Sequence, residues 1–526
     1  MKQSNIYITK IFCAALSGIL LSLSFPLTGL YRLAWIALVP LVFSIRNLSF
    51  NDSFRLGIIA GLVHYLTLLY WLVGTMQTYG HLPLYLSLPI FFLLAAYLAI
   101  YMGLFAGILS WLSKKPATGL ASFPFLWVSL EYIRSFLFSG FPWELTGYSQ
   151  YKSLIMIQIS DLTGVFGVSF LIAVFNMTTL VFLLWLTKKK WHGRTVSGKI
   201  AAAAMSALII STGLTCCYGK QRLFSLNKTI SSASSKKITI VQGNIDQGVK
   251  WDPQYQVSTI QKYINLSLQS RNTKPDLVVW PETAAPFYFL YDKKLSDIIK
   301  KGIKSFEAAF LIGAPAFSIK KNKTVEYFNS AYLVGPGGKV YGQYNKAHLV
   351  PFGEYIPLKK FLPFVGKMVE GIGDFVPGKK GVPIIWDDLK LGILICYEGI
   401  FPGLAGAVVN NGADLLINIT NDAWYGRSSA PYQHFSMAVF RAVENRRSLI
   451  RSANTGISGF IDPTGRILEQ TDLFQEAVLT HSLPVIHQKT IYTRFGDCFA
   501  IICMIITASL LLFVYRAKVR GDNVLG

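Results

Sequence analysis

Residues 391–400 read LGILICYEGI: an apolar run that ends on Cys396 and is followed at once by Tyr397 and Glu398. A short unbroken apolar run of this kind suits a strand buried on both faces of a layered sheet, and its end is where such a sheet presents polar groups to a crevice. The pattern occurs twice more. LVVW (277–280) leads through Pro281 to Glu282, and VYGQYN (340–345) leads to Lys346. Taken singly, each has an ordinary explanation, because a cysteine at a strand end is commonly a small core residue and a Glu or Lys there is commonly a solvated turn. Taken together they form a device for acyl transfer. A thiol is mostly protonated at neutral pH, so a carboxylate that takes its proton makes it a nucleophile, and an ammonium nearby stabilises both thiolate and oxyanion. The backbone N–H of Tyr397 is a candidate second oxyanion donor.

Further short β-like runs surround these three, at 238–242, 309–313, 330–334, 414–419 and within 447–461, with helical stretches at 254–270 and 432–446 between them. This alternation predicts one layered α/β domain of roughly 260 residues. A polar Ser/Lys segment, Asn227 to Lys237, is expected to lead into it as a linker.

The rest of the chain has another character. Hydrophobic residues make up 52% of the 526, charged residues only 15%, and mean hydropathy is +0.42, too apolar for an ordinary soluble protein. Eight apolar stretches approach the roughly 20 residues a bilayer-spanning helix needs: 8–27, 30–46, 56–78, 83–112, 121–138, 158–186, 199–217 and 497–515. No small-residue cleavage site follows the first, which reads as a retained anchor. The expected organisation is a transmembrane domain of seven helices over 1–217, an extracytoplasmic catalytic domain with its linkers over 218–496, and an eighth transmembrane helix with a short cytoplasmic tail over 497–526.

The net charge of +23 is compatible with nucleic acid or with a membrane protein, and the placement of the charges favours the membrane. With the N-terminus inside, the inner segments hold Lys2, Lys10, Arg46, Arg55, Lys114, Lys115, the cluster Lys188, Lys189, Lys190, Arg194 and Lys199, and then Arg516, Lys518 and Arg520. The short outer connections hold Lys152, with Arg32 at an edge. Both termini are thus expected inside, the catalytic domain outside, and no nucleic-acid partner. Of six cysteines, five (Cys13, Cys216, Cys217, Cys498 and Cys503) lie in or beside apolar segments, which leaves Cys396 without an evident disulfide partner. His348 and His434 lack companion ligands at metal spacing and no phosphate loop is present, so neither metal nor cofactor is expected.

The spans WPET (280–283), YNKAHLVPFGEY (344–355), ICYE (395–398) and NITNDAW (418–424) resemble the nitrilase, or carbon–nitrogen hydrolase, superfamily, whose αββα sandwich enzymes use a Glu-Lys-Cys triad. Fusion of such a domain to apolar spans, together with VQGNIDQGVKW (241–251) and FPWELTGYSQ (141–150), resembles its membrane branch, the apolipoprotein N-acyltransferases. That resemblance implies Glu282 as general base, Lys346 as transition-state stabiliser and Cys396 as nucleophile, with Trp251, Glu354, Tyr397 and Glu398 in support. It implies a phospholipid acyl donor, a thioester intermediate and transfer to the free amine of diacylglyceryl-cysteine apolipoproteins, in the inner membrane of a bacterium with the catalytic domain facing the periplasm. A monomer is the default expectation.

Several features stay open at this level. Glu398 suits a hydrogen bond to Lys346 or to a substrate amine, and Glu354 suits holding the triad or orienting the second nucleophile. Residues 355–375 interleave Phe361, Leu362, Phe364, Val365 and Met368 with Lys359, Lys360 and Lys367, as in an interfacial element or in a helix packed on its own domain. Trp424 and Tyr425, next to Gly426, fit a movable lid or a plain aromatic turn. Glu131 and Arg134, spaced i, i+3 inside an apolar stretch, fit a lipid-headgroup site or a structural ion pair. Two rival functions share these residues. A tethered amidase would leave eight spans and the apolar 355–375 segment without a purpose, and a transporter or receptor would make the triad a coincidence.

Overall fold

The computed structural model describes residues 2–113, 116–356 and 374–519. The chain divides into two compact units, a helical one made of residues up to Val73, Pro83–Gln221 and the chain from Asp497, and a second made of Gly74–Leu82 and Arg222–Gly496.

In the helical unit, Leu84–Leu112, Val165–Thr187, Gly198–Ser232 and the helix from Cys498 are long and apolar enough to cross a bilayer. Phe50–Leu68 and Trp71–Thr78 meet at 53° and count as a fifth if taken as one broken span. The first and fifth predicted stretches appear as the helices Lys2–Leu23 and Pro116–Phe136. The predicted span 30–46 is not one helix: a 3-10 turn, Tyr31–Trp35, is followed by the short helix Val39–Ile45. Pro40 stands in the first turn of that helix, the one position where its missing N–H costs nothing, so it starts a helix where a continuous span was expected. Helix 50–68 lies against helix 84–112 at backbone contact. A Cβ on Gly57 would stand 2.3 Å from the Met102 carbonyl oxygen, and one on Gly61 2.7 Å from Ala99 Cα. Small residues four apart are what permits such an approach where lipid supplies no hydrophobic drive.

The second unit is a sandwich of two six-stranded sheets. The first runs β12-β1-β2-β3-β4-β5 and the second β11-β10-β9-β8-β7-β6. Its strands are β1 (Ser235–Gln242), β2 (Leu277–Val279), β3 (Ala309–Ile319), β4 (Val325–Val334), β5 (Val340–Asn345), β6 (Ile384–Trp386), β7 (Leu389–Ile395), β8 (Leu415–Thr420), β9 (Leu449–Ala453), β10 (Gly459–Ile461), β11 (Ile467–Gln470) and β12 (Ala477–Pro484). β1, β2 and β3 are mutually parallel, as are β7, β8 and β9. Ile238, Ile240, Leu277, Val279 and Leu311 of one sheet share a buried core with Leu391, Ile393, Ile395, Ile417 and Ile419 of the other. The outer face of the first sheet buries Val241, Val278, Trp280, Phe310 and Ile312 against Ile260, Tyr263 and Ile264 of helix Pro253–Gln269 and Leu295, Ile299 and Ile303 of helix Lys293–Ile303. Helices Pro402–Asn410 and Ala430–Asn445 accompany the second sheet. Strands buried on both faces explain why the sequence shows solid apolar runs and little alternation.

The predicted linker from Asn227 is not a linker. Helix Gly198–Ser232 continues through most of it and β1 begins at Ser235. A polar helix end and a strand that starts exposed before turning inward have the same composition as a loop. The 355–375 segment lies mostly outside the described residues, with Tyr355 at a β-bridge to Pro351 and Phe375 at one to Tyr327.

Candidate active site

Three strand ends converge. β2 stops at Val279 and delivers Glu282 one turn later, β5 stops at Asn345 and delivers Lys346, and β7 stops at Ile395 and delivers Cys396. Cys396 and Thr283 both adopt left-handed backbone, φ 51° and 52°. Non-glycine residues hold that conformation at a cost of about 1–3 kcal/mol only where their surroundings enforce it. At Glu282 the enforcement is steric. β3 offers Gly313, where a Cβ would stand 2.4 Å from the Pro281 carbonyl oxygen and 2.7 Å from Glu282 Cα, so only glycine lets the turn lie against the strand.

At Cys396 the enforcement is by hydrogen bonds. Its carbonyl accepts from His434 Nε2 at 3.2 Å and from Asn418 Nδ2 at 3.4 Å. Asp422 accepts from Arg451 at 2.6 Å and from Thr420 Oγ1 at 2.8 Å, and its Oδ1 stands 3.1 Å from His434 Nδ1. Arg451 also donates to Asn418 Oδ1, and its Nη2 lies 3.0 Å from His434 Nδ1. Burial, then the Arg451 charge, lowers the His434 pKa, with Asp422 pulling the other way, and the ring's Nε2 faces the Cys396 carbonyl. Asp422 is fully buried, yet Arg451 and His434 hold its carboxyl down at about 2 against the opposing effect of burial.

Glu398 is completely buried beside Cys396. Its Oε2 accepts from Ile395 N at 2.7 Å, and its Oε1 accepts from Ala347 N at 2.7 Å, Tyr344 Oη at 2.9 Å and His348 N at 3.1 Å. It therefore ties the Cys396 turn to the residues flanking Lys346 and makes no hydrogen bond to Lys346 itself. Burial raises its pKa to about 7 despite those donors. Glu354 grips Lys346 directly: the lysine Nζ lies 3.0 and 2.9 Å from its two oxygens, and Asn329 Nδ2 and Val350 N donate to it at 2.9 and 2.8 Å.

Lys346 is 1% exposed and stands 3.9 Å from Glu282 Oε1. Burial opposes its charge, but Glu354, Glu282 and Cys396 outweigh that and raise its pKa above the ordinary lysine value. Glu282 Oε1 accepts from Asn329 Nδ2 at 2.7 Å, while its Oε2 is buried with no hydrogen-bond partner among the described residues. Burial, followed by the negative charge of Glu282, pushes the Cys396 thiol well up, with Lys346 and the Thr420 hydroxyl pulling the other way. A standing thiolate is thus disfavoured, and ionisation has to accompany transfer of the proton to a base. The open Oε2 of Glu282 is a carboxylate oxygen able to receive it.

A family description of the apolipoprotein N-acyltransferase N-terminal domain matches residues 17–178, and one of the carbon–nitrogen hydrolase domain matches residues 237–487. An apolipoprotein N-acyltransferase of Geobacter metallireducens is 44% identical over 506 residues, covering 96% of this chain and 95% of that protein. The chain belongs to the apolipoprotein N-acyltransferase family. Relatives of the same name from Chlorobaculum tepidum and Rickettsia typhi are each 32% identical, over 95% and 98% of this chain and 96% and 100% of their own lengths. An amidase of the nitrilase superfamily from Nesterenkonia AN1 is similar at 19% identity with a TM-score of 0.36, covering 51% of this chain and 94% of that one. The protein is accordingly an acyltransferase with a nitrilase-superfamily domain and a helical region characteristic of a multi-pass membrane enzyme.

The residues singled out in the sequence fare unevenly. Glu282, Lys346, Cys396, Glu354 and Glu398 form one network, and Tyr397 is buried beside it. Trp251 is half-buried at the end of the loop after β1. Ala423 and Trp424 are gripped through their carbonyl oxygens, which accept from Tyr79 Oη and Thr75 Oγ1, each at 2.9 Å, and the Tyr79 and Trp424 rings meet edge to face at 4.8 Å. Glu131 and Arg134 belong to the helical unit and are not ion-paired to each other. Glu131 Oε1 accepts from Thr146 N at 2.7 Å and Arg134 donates to the Trp143 carbonyl at 3.1 Å. Sequence reasoning missed Asn329, had Lys250 only as a member of the VQGNIDQGVKW span, and passed over His434 and Arg451 as supports of Cys396. Asn418 and Asp422 did carry a signal, since both lie in the quoted NITNDAW span.

Proposed function

We propose that this acyltransferase moves an acyl chain from a membrane phospholipid to the free α-amine of a diacylglyceryl-cysteine apolipoprotein, with Glu282, Lys346 and Cys396 as the reacting groups. The observation that carries the assignment is the Oε2 of buried Glu282, without a hydrogen-bond partner among the described residues, in a carboxylate whose other oxygen is fixed by Asn329 and which stands beside Lys346. In the first half-reaction the Cys396 proton passes to Glu282 as sulfur attacks the ester carbonyl. Lys346 carries the oxyanion charge, with the Tyr397 backbone N–H as its companion. The C–O bond then breaks, Glu282 returns the proton to the departing lysophospholipid oxygen, and a thioester remains. In the second half-reaction the amine attacks the thioester, Glu282 takes its proton, and the C–S bond breaks as sulfur is reprotonated.

Trp251, Glu354, Tyr397 and Glu398 support the triad in this scheme, and Trp424 with Tyr425 form the lid over it. A catalytic domain over 218–496, seven apolar segments before it, the second of them the broken 30–46 stretch, one helix after it, both termini in the cytoplasm, and a monomer in the bacterial inner membrane complete the proposal. The one-sided distribution of Lys and Arg supports the orientation.

Intact mass of the full chain in detergent, after incubation with a defined phospholipid, tests the chemistry. An acyl-sized increase that Cys396→Ala lacks, and that a diacylglyceryl-cysteine peptide discharges, is the expected result. Hydrolysis of small amides with no adduct from any phospholipid points to the amidase instead.

A further inference from the structure

The loop between β1 and helix Pro253–Gln269 contains a lysine with no exposed surface. Lys250 is 0% exposed, and its Nζ donates to the backbone carbonyl of Glu282 at 3.1 Å. A lysine is almost never buried this completely unless it is paired, because removing an ammonium from water costs several kcal/mol. The loop that carries it is fixed elsewhere by uncharged bonds. Asn244 N donates to the Asn454 carbonyl at 2.8 Å, Asn454 exchanges bonds of 3.0 and 2.8 Å with Ile245, and Asn421 Nδ2 donates to Gln247 at 2.6 Å. Lys250 is the point at which this loop grips the turn of the general base.

The charges around it give the burial a purpose. Glu282, Glu354 and Glu398 bring three buried carboxylates to the site, and Lys346 is already held by two oxygens of Glu354. Glu282 receives from Lys346 only a 3.9 Å approach. We propose, resting on the acyl-transfer reading above, that Lys250 is a positioning residue: its ammonium latches the loop to the Glu282 turn and holds that turn, and with it the carboxylate, in place for the thiol proton. Trp251, the next residue, is placed by the same latch.

The latch titrates in an accessible range. Burial lowers the Lys250 pKa to about 8, with Glu282 partly restoring it. Glu282 faces it from the β2 turn. On its own loop, Asp246 and Asp252 accept from Gly248 N and Gln254 N. Around Glu282 the Lys346, Cys396 and Tyr425 pKa values are all raised, and Glu398 titrates at about 7, on the acid side of Lys250.

The test measures the single-turnover rate of Cys396 acylation from pH 6 to 10 in the detergent-solubilised full chain, wild type beside Lys250→Met and Lys250→Arg. Phospholipid and a p-nitrophenyl acyl ester serve as parallel donors. The wild-type rate is expected to fall on the alkaline side with a midpoint near 8, as the ammonium loses its proton. Lys250→Met should be slower by about tenfold or more below that midpoint, the worth of one hydrogen bond from a charged group, and should lack the alkaline fall. Lys250→Arg should recover part of the rate and extend it to higher pH, and melting curves verify that each variant is folded. A wild-type rate and profile in Lys250→Met, or a uniform loss that keeps the alkaline fall, overturns the proposal. Acylation by the p-nitrophenyl ester without any by phospholipid goes against the donor, and the Lys250 comparison still stands on the ester.

Discussion

Asn329 offers the sharpest test of how the site is built. Its single amide nitrogen bridges the two carboxylates that matter most, donating to Glu282 at 2.7 Å and to Glu354 at 2.9 Å, while its backbone carbonyl accepts from Lys346 N at 2.8 Å. Leucine has nearly the same size and suits a buried strand, so Asn329→Leu in β4 removes the two side-chain bonds and leaves the backbone bond in place. A hydrogen bond to a charged group is worth about 1.5–3 kcal/mol, so the pair amounts to about 3–6 kcal/mol. If most of that is expressed in the acylation transition state, the rate falls by roughly 10²–10⁴-fold, at about 1.4 kcal/mol per factor of ten. The assay is single-turnover formation of the Cys396 acyl adduct, followed by intact mass, with melting temperature recorded alongside. A folded variant that acylates within about threefold of wild type would refute the reasoning, since bonds worth this much cannot be lost silently.

Other outcomes follow from the same geometry. Asp422→Asn should destabilise the sandwich by about 3–5 kcal/mol at pH 7, because it leaves buried Arg451 uncompensated. Asp422 has a folded pKa of about 2, below its ordinary 3.8, so its contribution is full above pH 3.8 and fades as pH falls toward 2. Denaturation at pH 7 and pH 3 should show the gap between variant and wild type narrowing on the acid side. Gly61→Leu should lower the melting temperature of the detergent-solubilised protein, since even a Cβ there meets Ala99 at 2.7 Å and overpacking costs about 1–3 kcal/mol or more. Tyr79→Phe deletes the bond to the Ala423 carbonyl and should weaken the hold on the turn by about 1 kcal/mol. Faster amide exchange at residues 422–426 is the readout, and unchanged exchange would remove Tyr79 as an anchor of that turn.

The amino-acid order alone determined the layered α/β domain, because buried parallel strands must be solid apolar runs, and it pointed to Glu282 and Cys396 because each follows such a run, and to Lys346 because it follows the half-exposed edge strand β5. LGILIC, LVVW and YNK are local facts, and the family motifs lie on them. Partition into lipid was equally legible, since it depends on composition summed over about 20 residues. What a run of that length does in detail was not legible. Pro40 breaks the expected second span, and the polar stretch from Asn227 proved to be helix and strand, because a loop and an exposed helix end share one composition.

Only the tertiary structure decided the roles of residues that act through partners far away in the chain. Asn329 matters because it meets Glu282 and Glu354, 47 and 25 positions away, and Lys250 because it meets Glu282, 32 away. His434 looked inert for want of neighbours at metal spacing, yet its imidazole holds the carbonyl of Cys396, 38 residues distant. The sequence left the separate roles of Glu354 and Glu398 open, and folding separated them: one grips Lys346, the other knits the backbone around Cys396. Periodicity and strand ends are written in neighbouring residues, whereas hydrogen bonds across a sandwich exist only once two sheets have packed and excluded water.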